Sequence, residues 1–393
     1  TYERLAQAAA DAGSDRLRQI AAARAAFAKG FAAEAIVAFA TGTHALDASG
    51  GRHAGVLAAS DMAAWQASWE APATIDYRGL TICKPGAWSQ GPVLLQTLSL
   101  LKGFDIAAMD PLAPEFVHIV VEAMKLAYAD RDAYYGDPKF ADVPLASLLD
   151  DSYADQRRKL IAETASAELR PGSPTGRTPR LPRVQFREPG QAGVGEPTAV
   201  EREQSESYRR GGAAALADRH AARGPVEGDT CHLDVIDRFG NVVAATPSGG
   251  WLQSSPVIPE LGFCLGTRGQ MFWLEEGLPS SLLPGARPRT TLTPSLATKD
   301  GRACLAFGSP GGDSQDQWIL QFLLRHVDQG LALQAAIDAP QFQSKHMINS
   351  FYPRDAGLSH LLVEGRFPAA TVAELERRGH EVEIAGDWSL GRN

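Results

Sequence analysis

Gly228-Asp229-Thr230-Cys231-His232-Leu233-Asp234-Val235-Ile236-Asp237-Arg238-Phe239-Gly240-Asn241 is the stretch on which the fold turns. Residues 231–236 read as a short apolar-rich strand. Asp237 to Asn241 supply a turn, and Val242 to Thr246 the return strand. A strand that reads as buried thus begins abruptly on a threonine. If the bond before Thr230 were cut, the freed α-amine would titrate near 8, where a general base is useful. Threonine with an N-terminal amine is an activated nucleophile. Read by itself, Thr230 is the plain first residue of a strand, as most threonines in such positions are.

Upstream of it, residues 166–228 carry Pro171, Gly172, Pro174, Pro179, Pro182, Pro189, Gly190 and Pro197 and few large apolar residues. This composition predicts a linker or processed arm. Downstream, Asp300-Gly301 predicts a hairpin turn between strands at 295–297 and 303–307, and helices are expected near 315–326, 331–337 and 370–378 before a strand at 380–384. Gly308-Ser309-Pro310-Gly311-Gly312 lies between a strand and a helix. Its glycines can turn backbone N–H groups into one concavity at a helix N-terminus, which is an anion site, or form a simple strand-to-helix turn.

The first 40 residues are alanine-rich with helical period, broken at Gly13-Ser14-Asp15. Two strands are expected around Arg78-Gly79, then a loop to Pro92 and a helix from Val93 to Leu101. Pro111–Tyr135 is expected to be an amphipathic helix, with Asp130-Arg131-Asp132 as a solvated charged end.

Composition bounds the rest. The 393 residues are 44% hydrophobic and 21% charged, enough for a sizeable core. A formal net charge of −8 argues against nucleic acid as a partner. No apolar run is long enough for a bilayer, so no membrane partner is expected. Cys83, Cys231, Cys264 and Cys304 are scattered. They predict neither a zinc site nor a disulfide framework, but buried thiols in a reducing, cytoplasmic setting. Thr1 is not Met, and the native N-terminus is expected upstream of it.

Taken in order, residues 230–241, Arg287-Pro288-Arg289-Thr290-Thr291-Leu292-Thr293-Pro294 and 308–312 resemble the γ-glutamyltranspeptidase family of N-terminal-nucleophile hydrolases. The resemblance covers nearly the whole chain. It implies an α+β fold, a four-layer αββα sandwich, here without its N-terminal segment. It also implies a proenzyme cut between Asp229 and Thr230. Residues 1–229 would then be large-subunit sequence, helical over 1–165 with a linker or processed tail over 166–229. Residues 230–393 would be the small subunit, and the two would stay together.

By the same resemblance Thr230 is the nucleophile, Ser248 hydrogen-bonds it, and Gly311 and Gly312 form the oxyanion hole. Thr290 and Thr291 match a serine pair that holds a substrate carboxylate. No cofactor and no metal are implied. The family holds the glutamyl α-amine with an asparagine, a glutamine and an aspartate, where Gly250, Arg268 and Met271 stand here. Its carboxylate-gripping arginine falls upstream of Thr1. The expected function is a threonine amidohydrolase acting on a small-molecule amide of an anionic acyl group that Arg268 selects. A true γ-glutamyl transferase or glutathione hydrolase, and an inactive homologue or binding protein, are the alternatives. Homo-oligomerisation stays open.

Overall fold

A computed structural model describes residues 1–46, 51–184, 230–250, 255–351 and 354–391. Asp229, the 185–229 part of the expected linker and the turn glycine Gly50 lie outside them. The described residues fall into two units.

One unit holds 1–46, 51–70, 249–250 and 255–267. The alanine-rich start makes helices Tyr2–Asp11, Arg16–Ala28 and Phe31–Gly42. Asp15 caps the second by accepting from the Arg18 N–H at 2.8 Å, so the break at Gly13 works as expected. Neither of the first two helices buries a residue. The core of this unit is Ala32 and Ile36 against Ile258 and Leu261.

The other unit holds 71–184, 230–248, 268–351 and 354–391. Four antiparallel strands lie in the order Arg302–Phe307, Ser295–Lys299, Leu80–Lys84, Ala73–Tyr77. Two of the joints are local. Arg78 and Gly79 have φ of 51° and 81°, and Asp300 and Gly301 have 51° and 75°, the left-handed pair of a tight hairpin. A second sheet pairs Phe342–Ser344 antiparallel and Glu381–Ala385 parallel with His360–Glu364. The helices Pro92–Leu101 and Gln315–Val327 also pack into this unit's core.

The long helix Pro114–Tyr134 departs from expectation. It is not amphipathic but buried on nearly all sides, and its charged end is buried with it. Asp130 and Arg131 are 1% and 0% exposed, so the solvated end is corrected to an internal polar network. Asp130 accepts from Gln96, Tyr153 and the Gly172 N–H at 3.0, 2.8 and 2.6 Å. The last of these bonds corrects the linker reading for residues 166–184. Tyr134 donates to the Gly172 carbonyl, Arg170 pairs with Glu122 at 2.9 Å, and Pro174 is buried. Proline and glycine here shape a packed segment.

The hairpin Leu233–Ile236 with Val242–Ala245 forms as expected, paired Leu233↔Ala245 to Ile236↔Val242. All four residues of its first strand are exposed, however, so that strand is not buried. Its turn is local chemistry, with the Asp237 carboxylate accepting from the Phe239 and Asn241 N–H groups at 2.8 and 2.9 Å. The thiols differ as well. No disulfide joins them, but Cys231 and Cys304 are exposed and the other two half-buried.

Three histidines are buried in mutually consistent neutral forms. His118 donates from Nε2 to the Ala162 carbonyl at 2.8 Å, so its Nδ1 accepts from His380 Nε2 at 2.9 Å. His346 accepts the Ser359 N–H on Nδ1 and donates from Nε2 to the Glu168 carbonyl. Burial pushes all three below the ordinary imidazole range, His346 to about 3 and His380 to about 2. A depressed histidine pKa means that the unfolded chain takes up these protons first. Stability is therefore full above the unfolded value and falls as pH drops below about 6.5, by up to about 1.4 kcal/mol per pH unit for each histidine. Urea unfolding at pH 7 and pH 5 should show this loss, and His346→Gln should reduce it.

Candidate active site

The candidate site is built at the open end of the 233–245 hairpin. The Cys231 N–H donates to the Pro247 carbonyl at 3.1 Å, which continues the hairpin register and sets Thr230 opposite Ser248 one step on. Thr230 is half-buried. The next inward-pointing residue is His232. Its Nδ1 lies 2.8 Å from Thr246 Oγ1 and its Nε2 3.0 Å from Asp234 Oδ1. The imidazole packs against Gly308, where a Cβ would come within 2.2 Å of the ring's Cε1. Gly308 is thus glycine because the strand behind Thr230 packs directly on the start of the 308–312 loop.

That loop has the expected shape. Strand Arg302–Phe307 runs into it, and a short 3₁₀ turn, Gly312–Ser314, leads to the helix Gln315–Val327. Gly311 and Gly312 have φ of 116° and 54°, which favour glycine, and a Cβ on Gly311 would strike the Trp318 ring at 2.4 Å. Among the described residues the Gly311 and Gly312 N–H groups donate to no backbone carbonyl, as expected of the first donors of a helix.

Beneath the loop lies a charge network that sequence reasoning missed. Asp313 is ion-paired with Arg131 and accepts from the Ser350 N–H and hydroxyl at 2.7 and 2.6 Å. Arg131 also reaches Asp132 at 2.8 Å, the Ile348 carbonyl at 2.7 Å and Gln90 at 3.1 Å, and Arg289 donates to Ser350 at 2.9 Å. Burial alone would raise the Asp313 pKa, but Arg131 and Arg289 hold it below the ordinary carboxylate range. Burial lowers Arg289 to about 10, with Arg131 adding repulsion. One signal for this network was available: a helix apolar on most faces buries the charges at its end as well.

Thr290 and Thr291 are 6% and 0% exposed. The Thr290 N–H donates to the Trp88 carbonyl, and its own carbonyl accepts from Gln90 N, both at 2.9 Å. Arg268 is drawn to this pair, with Nη1 3.4 Å from Thr291 Oγ1 and from Met271 Sδ and its guanidinium 6.0 Å from the Phe351 ring. Arg354, also missed, donates to the Gln270 and Phe272 carbonyls at 2.6 and 2.8 Å and so braces the segment that carries Arg268. Gly250 belongs to the other unit.

Among the described residues one group, His118, Glu122 and His380, has metal-ligand geometry. Glu122 is paired with Lys125 and Arg170 and the two histidines bond each other, while His380 Nδ1 is buried without a hydrogen-bond partner among the described residues. Two cations on the carboxylate oppose a third. Among the described residues no helix is long and apolar enough to cross a membrane.

The chain is similar to several known proteins. A glutathione hydrolase-like YwrD proenzyme of Bacillus subtilis (strain 168) is 30% identical over 330 residues, 84% of this chain and 51% of that protein. A solved structure described as LmbA2991HD is 50% identical and has a TM-score of 0.85, covering 100% of this chain and 62% of its own. Cephalosporin acylase from Bacillus halodurans is 27% identical with a TM-score of 0.70, covering 94% of this chain and 54% of its own. The chain spans about half the length of the curated relatives it matches. The family model described as Gamma-glutamyltranspeptidase matches residues 3–393, so the loop, the hairpin and the hydroxyl pair lie in one continuous match, and the chain belongs to the gamma-glutamyltranspeptidase family.

Proposed function

We propose that this chain is the catalytic part of an autoprocessing threonine amidohydrolase in a four-layer αββα frame. The bond between Asp229 and Thr230 is broken, which leaves residues up to 229 as large-subunit sequence and 230–393 as the small subunit. The freed Thr230 amine takes the hydroxyl proton as Oγ attacks the amide carbonyl of the substrate. The N–H groups of Gly311 and Gly312 carry the charge that develops on that oxygen. Ser248 orients the nucleophile. The amine product leaves with the proton, and water or a second amine takes the acyl group from Thr230. One observation carries the reading: His232, two residues from Thr230, packs on Gly308, so the candidate nucleophile and the candidate oxyanion loop share one end of the fold.

The acyl group is anionic and lacks an α-amine. Arg268, 3.4 Å from Thr291, would repel an ammonium and attract a carboxylate, and Met271 offers no anion to hold an amine. A glutaryl-type amide meets this description, as do amides of other dicarboxylic acids. The acylase among the similar structures supports this reading, and the glutathione hydrolase-like relative supports γ-glutamyl transfer. Glutaryl and γ-glutamyl anilides assayed side by side separate the two, because a strong preference for the glutamyl compound excludes the anionic-acyl reading. Arg268→Ala is expected to lower kcat/KM for the glutaryl anilide about 10- to 100-fold, the loss of a charged hydrogen bond. An uncharged butyryl anilide should change little. Equal losses on both would show that the arginine does not read charge.

A further inference from the structure

Gln90 stands between the two halves of the candidate site. In sequence it is one polar residue of the loop Pro85–Pro92, with nothing to set it apart. In the fold it is 0% exposed, and its backbone N–H and both side-chain amide atoms are engaged. Its N–H donates to the Thr290 carbonyl at 2.9 Å. Its Nε2 donates to the Gly312 carbonyl at 3.1 Å, and its Oε1 accepts from Arg131 Nη1 at 3.1 Å. A buried amide is costly unless bonded, so these three bonds select one orientation of the side chain.

We propose that Gln90 is a positioning residue that sets the direction of the Gly311 and Gly312 N–H groups and couples them to the Thr290–Thr291 pair. This inference rests on the amidohydrolase reading above. Two adjacent glycines at positive φ make a soft stretch of backbone, since neither has a Cβ to restrict rotation. Each peptide unit is planar. The Gly312 N–H shares its unit with the Gly311 carbonyl, which accepts from the Ser314 N–H at 2.9 Å. The next unit, the Gly312 carbonyl with the Asp313 N–H, is the anchor from which that turn is fixed. Gln90 holds the Gly312 carbonyl, and the Tyr128 hydroxyl holds the next one, Asp313, at 2.5 Å. The Asp313 side chain is clamped by Arg131 and Ser350, and Arg131 in turn holds the Gln90 carbonyl oxygen. Through its backbone Gln90 also fixes the segment that bears Thr290. The glycines and the hydroxyl pair are therefore referred to one residue, which keeps the acyl carboxylate and the developing oxyanion at a set separation.

The test uses Gln90→Glu in the full, processed protein. The variant keeps the size of the side chain and the acceptor for Arg131, and loses the donor to Gly312. Gln90→Leu, which removes both side-chain bonds, serves as the second variant. Kinetics on the glutaryl anilide are paired with binding of two probes: glutarate, which fills the carboxylate side, and its boronic acid analogue, which becomes a tetrahedral anion on the nucleophile. We expect kcat to fall about 10- to 100-fold with KM within about twofold, short of the roughly 10²–10³ for losing an oxyanion donor outright. Boronate affinity should fall by the same factor, with glutarate affinity unchanged. A general loosening would weaken both probes together and overturn the proposal. Unchanged kcat and boronate affinity would do the same. A wild-type protein that neither turns over the anilide nor binds the boronate would remove the amidohydrolase reading first, and this inference with it.

Discussion

Thr230→Ala is expected to leave one uncut chain and to reduce hydrolysis by at least about 10³-fold. The variant keeps the backbone, so the hairpin from Leu233 and the packing of His232 on Gly308 should survive. It loses the hydroxyl that attacks in both cleavage and turnover. It also leaves the amine blocked, because an uncut bond at residue 229 has no free α-amine to act as base. Thr230→Ser should retain part of both functions, since the hydroxyl remains. Denaturing electrophoresis and mass spectrometry read the chain, and anilide release reads the chemistry. Alanine-variant protein that still splits at residue 230 would place the nucleophile elsewhere. Cys231 is the neighbour to consider, but strand alternation turns it to the opposite face from Thr230. A wild-type chain that stays whole and hydrolyses nothing would favour the inert, binding-protein reading.

The second large effect is on stability. Arg131→Met should cost about 3–5 kcal/mol, because it leaves buried carboxylates without their main counter-charge. Arg131 is 0% exposed and touches Asp132, Asp313, Gln90 and the Ile348 carbonyl. With it gone, Arg289 and Arg354 are the cations left beside these carboxylates, and burial already holds each of them down to about 10. Adding Asp313→Asn to the methionine variant should return part of the loss, since the charge being stranded is itself removed. The coupling between the two sites should reach about 0.5–3 kcal/mol. Urea unfolding midpoints of the four proteins measure it. A loss under about 1 kcal/mol for Arg131→Met would mean that water reaches the network. The pH dependence has a definite sign. Asp313 is held below the usual carboxylate range, so its contribution is present above that range and is lost as pH falls through its folded value.

The bracing of the site also explains where sequence reading stopped. Asp130-Arg131-Asp132 at a helix end has the pattern of a solvated terminus, and local pattern cannot distinguish that from a network whose partners are distant. Arg131 meets Asp313 and Ile348, 182 and 217 residues away. Residues 166–184 have linker composition, yet Gly172 is placed by Asp130, 42 residues earlier. The apolar hairpin strand read as buried because its residues suit burial, and alternation says which face a residue takes without saying what covers it. Arg268 was expected to select the acyl group, but its approach to Thr291 came only from the folded chain.

The sequence by itself determined what short-range chemistry can specify. The Asp237–Asn241 turn, the two-residue joints at Arg78-Gly79 and Asp300-Gly301, the Asp15 cap and the glycines at 311 and 312 each follow from a residue's own φ preference or a side chain reaching a few positions along. Three such motifs in order also sufficed to indicate the family that the chain matches from residue 3 to residue 393. Only the tertiary structure decided which polar groups are buried together. A charge or an amide is stable inside a protein only when partners from remote segments converge on it, and that convergence is a property of the packed chain. The partners of Arg131, Gln90, Arg289 and Ser350 are therefore silent in sequence, and in the fold these residues converge on Gly312 and Asp313, in the loop proposed to bind the oxyanion.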